Sequence, residues 1–272
     1  MFKVPEARCR LRGSTRIRVD TEILTMPDPQ VHVVLGATGG IGSELCRRLA
    51  DRGAQLVIGA RSQEKLVALA ASLGAEPFAL DATRFDDVDR CVRHALERFG
   101  RLDGAVNCVG ALLLKPAHMT TEAEYAATLA ANLTSAFALV RSASRPLMEQ
   151  GGGSIVLISS AAARTGFANH EAISAAKAGV IGLTLAAAAS YAPKAVRVNC
   201  VAPGLTRTPL AERITSSEAA LKASTALHPL GRIGEPADIA AAIEWLLDPA
   251  QSWVTGQVLG VDGGLGTIRS RS

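Results

Sequence analysis

The chain reads as a single α/β domain: a doubly wound parallel sheet of about seven strands with helices on both faces. Three observations predict this. Short apolar runs of valine, isoleucine and leucine, such as VHVVL from Val31, QLVIGA from Gln55 and SIVLIS from Ser154, alternate with longer helix-like segments, the pattern of parallel strands joined by crossover helices. Glycines punctuate the alternation, with Gly53 closing a helix and Gly151 to Gly153 opening a strand. Finally, 272 residues that are 48% hydrophobic but only 4% aromatic suit alanine- and leucine-rich helices packed on a valine-rich sheet in one large core.

The formal charge of +4 does not describe the body of the chain. Residues 1 to 30 carry six cations against four acids, so half of the excess sits there and the other 242 residues share +2. Such a body has no basic stripe for nucleic acid and no charge run for an acidic membrane. Five cysteines (Cys9, Cys46, Cys91, Cys108, Cys200) form no Cys-x-x-Cys pair and no metal-like cluster, and they read as small buried apolar residues in a reducing cytoplasm. No run approaches the roughly 20 apolar residues of a membrane span. Residues 1–29, with arginines from Arg8 to Arg18 and then Met26-Pro27-Asp28-Pro29, read as an extension outside the fold. The alternatives are a start at Met26 and an arginine-rich transit segment.

Taken in order, residues 30–268 form the predicted domain. The strand from Val31 runs into GATGGIG, where Gly36, Gly40 and Gly42 are spaced Gly-x-x-x-Gly-x-Gly before a helix. Bare backbone there admits a pyrophosphate, and the amides of the helix N-terminus face its charge. The second strand ends in Gly59-Ala60-Arg61-Ser62. An acid at that place would bind the ribose of NAD, whereas a guanidinium beside a hydroxyl favours the extra phosphate of NADP; the plainer role for Arg61 is a solvated charge at a helix entry. A third strand closes on Asp81-Ala82-Thr83, where Asp81 could equally cap the next helix. A fourth leads to Asn107-Cys108-Val109-Gly110, a long helix covers roughly Thr121 to Glu149, and a fifth strand precedes Ser159 and Ser160. An alanine-rich helix carrying Lys177 follows, then a sixth strand ending at Pro203-Gly204. Residues 207 to 231 are more polar and suit a substrate lid. A helix opened by Glu235-Pro236 and a last strand ending at Asp262-Gly263-Gly264 complete the domain.

The glycine turn, a serine at a strand end and a helical lysine together resemble the short-chain dehydrogenase/reductase family, from Val31 to about Gly266. The resemblance implies a Rossmann-like fold and a homodimer or homotetramer acting on a small molecule. It implies that Gly36, Thr38, Gly39, Gly40, Ile41 and Gly42 meet the pyrophosphate, that Arg61 and Ser62 meet the adenosine end, and that Asp81 and Ala82 lie by the adenine. It implies further that Asn107 and Gly110 lie along the cofactor. Pro203, Gly204, Thr206 and Thr208 would hold the nicotinamide carboxamide, with Lys177 at the same end. The implied catalytic set is Ser160, Lys177 and Asn132, with Ser159 as the fallback serine. Cys108 and Val109 depart from the family pattern, as does Leu35, and for the first two packing is the equal reading.

One departure matters more. The family joins its lysine to a tyrosine four residues earlier, and Ile173 stands there. Isoleucine neither donates nor accepts a proton. Tyr125 and Tyr191, the only tyrosines, cannot be shifted into register. His170 lies seven residues before Lys177 and shares its helical face with Ile173, which makes it a candidate acid with Glu171 as a second titratable group, although a helix N-terminus disfavours imidazolium. The expectation is therefore an NADP-dependent oxidoreductase with altered proton chemistry, acting on a small, apolar carbonyl, alcohol or conjugated compound, with NAD less favoured. The alternative is a silent NADP-binding protein that works as a sensor or subunit partner.

Overall fold

In the computed structural model, which describes residues 29–268, each of the seven apolar runs is a strand: β1 Val31–Leu35, β2 Gln55–Ala60, β3 Glu76–Ala79, β4 Gly104–Asn107, β5 Gly153–Ile158, β6 Val196–Pro203 and β7 Val258–Val261. All pair in parallel, in the order β3-β2-β1-β4-β5-β6-β7. The order reverses between β1 and β4, and the crevice outside the strand ends at that reversal is where doubly wound sheets bind ligands. The three readings of the N-terminal segment, an extension, a start at Met26 or a transit segment, fall outside the described residues.

Parallel strands covered on both faces read as near-continuous apolar runs, and β1, β4 and β6 are buried at every residue, His32, Asn107, Arg197 and Asn199 included. One face of the sheet is covered by α3 (Phe85–Phe99), α5 (Ser135–Glu149) and α6 (Glu171–Tyr191), the other by α1 (Gly40–Asp51), α2 (Gln63–Leu73) and α9 (Pro236–Leu247). Helix α9 opens on the expected Glu235-Pro236, where Glu235 and Asp238 form reciprocal caps.

Several boundaries differ from those the sequence suggested, each for a local reason. The long helix from Thr121 is three pieces: α4 (Glu122–Leu129), a π-helical turn at Ala130–Thr134, and α5. Asp81 does not cap α3, because Arg84 occupies the N-cap. The Asp81 carboxylate instead accepts hydrogen bonds from the Thr83 amide and hydroxyl. The lid region folds as two short helices, α7 (Glu212–Thr215) and α8 (Glu218–Leu227). Helix α6, extended to Lys194, is long and apolar enough to cross a membrane by length and composition, contrary to the expectation that no stretch is. In this fold its buried side is spent on the domain, packing on β6 and carrying the buried Lys177. Cys46, Cys91 and Cys200 are buried as predicted and Cys108 is half-buried; Cys9 lies outside the described residues.

Candidate active site

The site is assembled where β1, β4, β5 and β6 end. At the head of β1, Gly36 turns the chain with φ +76°, and a Cβ there would lie 2.7 Å from the backbone of Cys108 and Val109. A Cβ on Gly42 would fall on the Gly36 carbonyl oxygen. Helix α1 begins at Gly40, three residues earlier than its polar sequence suggested, so Gly40, Ile41 and Gly42 form its first turn. Gly39 at the N-cap offers no side-chain acceptor to the first amides. These N–H groups are therefore left to whatever anion comes. Thr208 from the loop after β6 leans over the same turn, its Cγ2 lying 2.8 Å from where a Gly40 Cβ would be.

The adenosine side is open. Arg61 and Ser62 are exposed at the end of β2, and neither is held by a salt bridge among the described residues. Leu80 N donates to Ala60 O at 3.1 Å, which sets Asp81 beside this edge. Hydrogen bonds from Thr83 hold the Asp81 carboxyl below its usual value, with the Arg61 charge a smaller contribution. Ala82 is buried behind it.

At the centre, β4 and the π-helical turn interlock. Asn107 Nδ2 donates to Ser135 Oγ at 3.0 Å, and Ser135 Oγ in turn donates to Ala131 O at 2.7 Å. Asn132, buried inside the π-turn, donates to Ala111 O at 3.0 Å and to Thr128 O at 2.9 Å, and accepts from Ala111 N. A single π-turn inserted in an otherwise α-helical run is a common mark of a functional site. Gly110 lies against this group: a Cβ there would be 3.0 Å from Asn132 Oδ1 and 3.7 Å from Lys177 Nζ.

Lys177 is gripped twice by the end of β5. Its ammonium donates to Ile158 O at 2.8 Å, and its own main-chain carbonyl accepts from Ser159 Oγ at 2.8 Å. Burial pulls its pKa from 10.5 down to about 8. Ser159, the fallback serine, is thus committed to the backbone of α6. Ser160 is only part-buried, and its Oγ accepts from Ala162 N at 3.1 Å at the start of a short 3-10 turn. Because that bond uses a lone pair, the hydroxyl proton stays available to an incoming oxygen. Ile173 is buried one turn before Lys177. His170 sits at the N-cap of α6 rather than within it.

The end of β6 at Pro203 and the loop after it, with Gly204, Thr206 and Thr208, run along the same edge. Thr206 Oγ1 donates to Gly204 O at 3.1 Å. The sequence reading missed two buried groups that hold this edge. His228 donates from Nδ1 to Ser224 O and accepts at Nε2 from Leu205 N, tying the end of α8 to the loop. Asp262 accepts from Gly264 N and Gly266 N. Ser135 was also missed, although a polar residue three positions after Asn132 on an apolar helix face was a visible signal. The glycine cradle, the α1 amides with no side-chain cap and Arg61, which has no salt bridge among the described residues, fit the charge of a phosphorylated dinucleotide.

A model described as enoyl-(acyl carrier protein) reductase matches residues 36–266. A short-chain type dehydrogenase/reductase from Mycobacterium ulcerans superposes with a TM-score of 0.85 at 32% identity, over 88% of this chain and 90% of that one. The chain belongs to the short-chain dehydrogenase/reductase family. A family relative from Thermotoga maritima, a 3-oxoacyl-(acyl-carrier-protein) reductase, is 34% identical over 245 residues, covering 87% of this chain and 97% of its own length. A cis-4-hydroxycyclohexanecarboxylate dehydrogenase of Sinomonas cyclohexanicum is 38% identical over 240 residues, with 86% and 96% covered. An actinorhodin polyketide ketoreductase solved with NADPH has a TM-score of 0.84 at 30% identity, covering 89% and 98%.

Proposed function

We propose that this protein is an NADP(H)-dependent oxidoreductase that moves hydride to or from a small, apolar carbonyl, alcohol or conjugated compound. The observation that carries the reading is the convergence of the bare glycine turn, the acid-free β2 edge with Arg61, and the Ser160, Lys177 and Asn132 group on one edge of the sheet. The NADPH held by the ketoreductase neighbour supports the cofactor assignment. Gly36 to Gly42 would hold the pyrophosphate, Arg61 and Ser62 the 2′-phosphate, and Lys177 with Pro203 to Thr208 the nicotinamide end. When bound, the dinucleotide supplies or accepts the hydride. Ser160 donates its hydroxyl proton as a hydrogen bond to the substrate oxygen as charge develops on it. Asn132 and the π-turn hold Gly110 and Lys177 in register.

Ile173 stands where the family has its tyrosine, so the proton must come from another group. The same residue favours a second reading, a protein that binds NADP without turnover. Calorimetry with NADPH and NADH, followed by NADPH oxidation over aldehydes, enones and imines, separates the two. We expect tighter binding of NADPH, measurable turnover, and a loss of about 10²-fold or more in kcat for Ser160→Ala with NADPH affinity retained. Tight NADPH binding with no consumption on any acceptor establishes the silent reading, and no binding of either nucleotide removes both.

A further inference from the structure

We infer that His170 exchanges the substrate proton through Nε2, doing the work that a side chain at Ile173 cannot. The inference rests on the oxidoreductase reading above and concerns which atom of the chain handles the proton.

The ring is fixed by contacts that a solvated helix-entry histidine would lack. His170 Nδ1 lies 2.8 Å from Ala168 O. A carbonyl oxygen only accepts, so Nδ1 carries the hydrogen, and in the neutral ring Nε2 is left with the lone pair. The Phe167 ring packs against the imidazole, with centroids 5.5 Å apart and planes tilted by 50°. Between them the chain turns through Asn169 in the left-handed region at φ +64°, a conformation uncommon for a residue with a side chain. That turn is anchored in turn by Lys115 N, which donates to Asn169 O at 2.8 Å, so the loop after β4 and the entry to α6 are tied at this point. His170 O accepts from Ser174 N at 2.7 Å, which sets the ring's origin at the first turn of the helix. One tautomer, one aromatic neighbour and a pinned backbone suit proton transfer at a defined atom.

Position agrees with this. His170 is the N-cap from which α6 starts, three residues before Ile173 and seven before Lys177, and its carbonyl already accepts the first helical bond. Ile173 and Lys177 are buried, while His170 is part-exposed, so a ring at this helix entry has the contact with solvent that a proton exchanger needs. No tyrosine competes. Tyr125 is exposed on α4, and Tyr191, 14 residues past Lys177, lies about 21 Å further along the helix axis at 1.5 Å per residue. In the direction of reduction the carbonyl carbon gains hydride from the reduced dinucleotide. The carbonyl oxygen takes the proton from Nε2–H of the imidazolium, leaving an alcohol, the oxidised dinucleotide and a neutral ring. Oxidation runs the same transfers backwards, with the Nε2 lone pair taking the alcohol proton.

The charged groups on the elements meeting here are Glu171 and Lys177 on α6, Arg164 on the preceding loop, and Lys115, whose ammonium pairs with Glu124. The test therefore uses two readouts. Nitrogen-15 NMR of the protein without added nucleotide, with the His170 signals assigned by their loss in His170→Gln, should show the proton on Nδ1; a proton on Nε2 overturns the inference without any assay of turnover. Kinetics then compare wild type with His170→Gln and His170→Asn across pH. We expect kcat to fall by about 10²-fold or more, the affinity for NADPH measured by fluorescence to stay unchanged, and one limb of the pH profile to vanish in both variants. Wild-type turnover that survives His170→Gln with its pH limbs intact overturns the role of His170 and leaves the oxidoreductase reading standing. NADPH binding with no turnover in the wild type removes both.

Discussion

A lysine whose ammonium is buried costs the fold stability, and Lys177 on α6, with its ammonium against the end of β5, carries that cost. Burial of the ammonium lowers its pKa from 10.5 to about 8, so between pH 8 and 10.5 the unfolded chain binds the extra proton and stability rises with pH across that window. Below pH 8 the full penalty of the buried charge is present, offset in part by the bond to Ile158 O. Lys177→Met should therefore be more stable than the wild type at pH 7 by about 1 to 3 kcal/mol in denaturant unfolding, while losing turnover. A variant less stable than the wild type at pH 7 would show that the Ile158 contact outweighs desolvation. The neighbouring serines divide their work at the same scale. Ser159 Oγ donates to the α6 backbone, whereas Ser160 Oγ accepts from Ala162 N, a division that two adjacent identical residues could not announce in a sequence.

Among the elements, the turn from β1 into α1 and the π-turn around Asn132 are the two that close approach makes intolerant. Gly42 packs so tightly on the Gly36 carbonyl that a methyl group has no room, and since the obstacle is backbone, the helix start itself must move. Gly42→Ala should lower stability by about 1 to 3 kcal/mol as an overpacked site, and NADPH affinity should fall at least tenfold because the α1 amides no longer converge. Thermal melts and fluorescence titration check the two effects; an unchanged affinity would mean that α1 does not hold the pyrophosphate. The π-turn works differently. It leaves Asn132 buried, with its amide spent on Ala111 and Thr128, so it joins the loop after β4 to the helix that packs on α6.

Across the whole molecule, the sheet carries a second titratable group, far from the site chemistry. His32 on β1 is fully buried, and neither ring nitrogen has a hydrogen-bond partner among the described residues. Burial lowers its pKa from 6.5 to about 4, against an opposing pull from Asp103. The unfolded chain thus takes up a proton that the fold resists between pH 6.5 and 4, so stability is full above pH 6.5 and falls by about 3 kcal/mol on acidification through that window. His32→Leu should flatten the acid limb in denaturation curves taken from pH 7 to 4; an unaltered limb would assign it to carboxylates instead. Much of this molecule was legible in the residues themselves. Apolar run length and glycine spacing determined the seven strands and the β1–α1 turn, because periodicity and backbone freedom are local properties, whereas the register of Ser160, Ile173 and Lys177 was implied only by the family resemblance. The tertiary structure alone decided that Ser159 clamps α6, that Asp81 bonds Thr83 rather than capping a helix, that Asn132 occupies a π-turn, and that His170 has one tautomer. Ser159 and Asn132 meet backbone groups on other elements, at Lys177 and Ala111, while Asp81 and His170 meet groups two residues away that only the fold of their loops brings within reach; residue periodicity encodes neither kind of meeting.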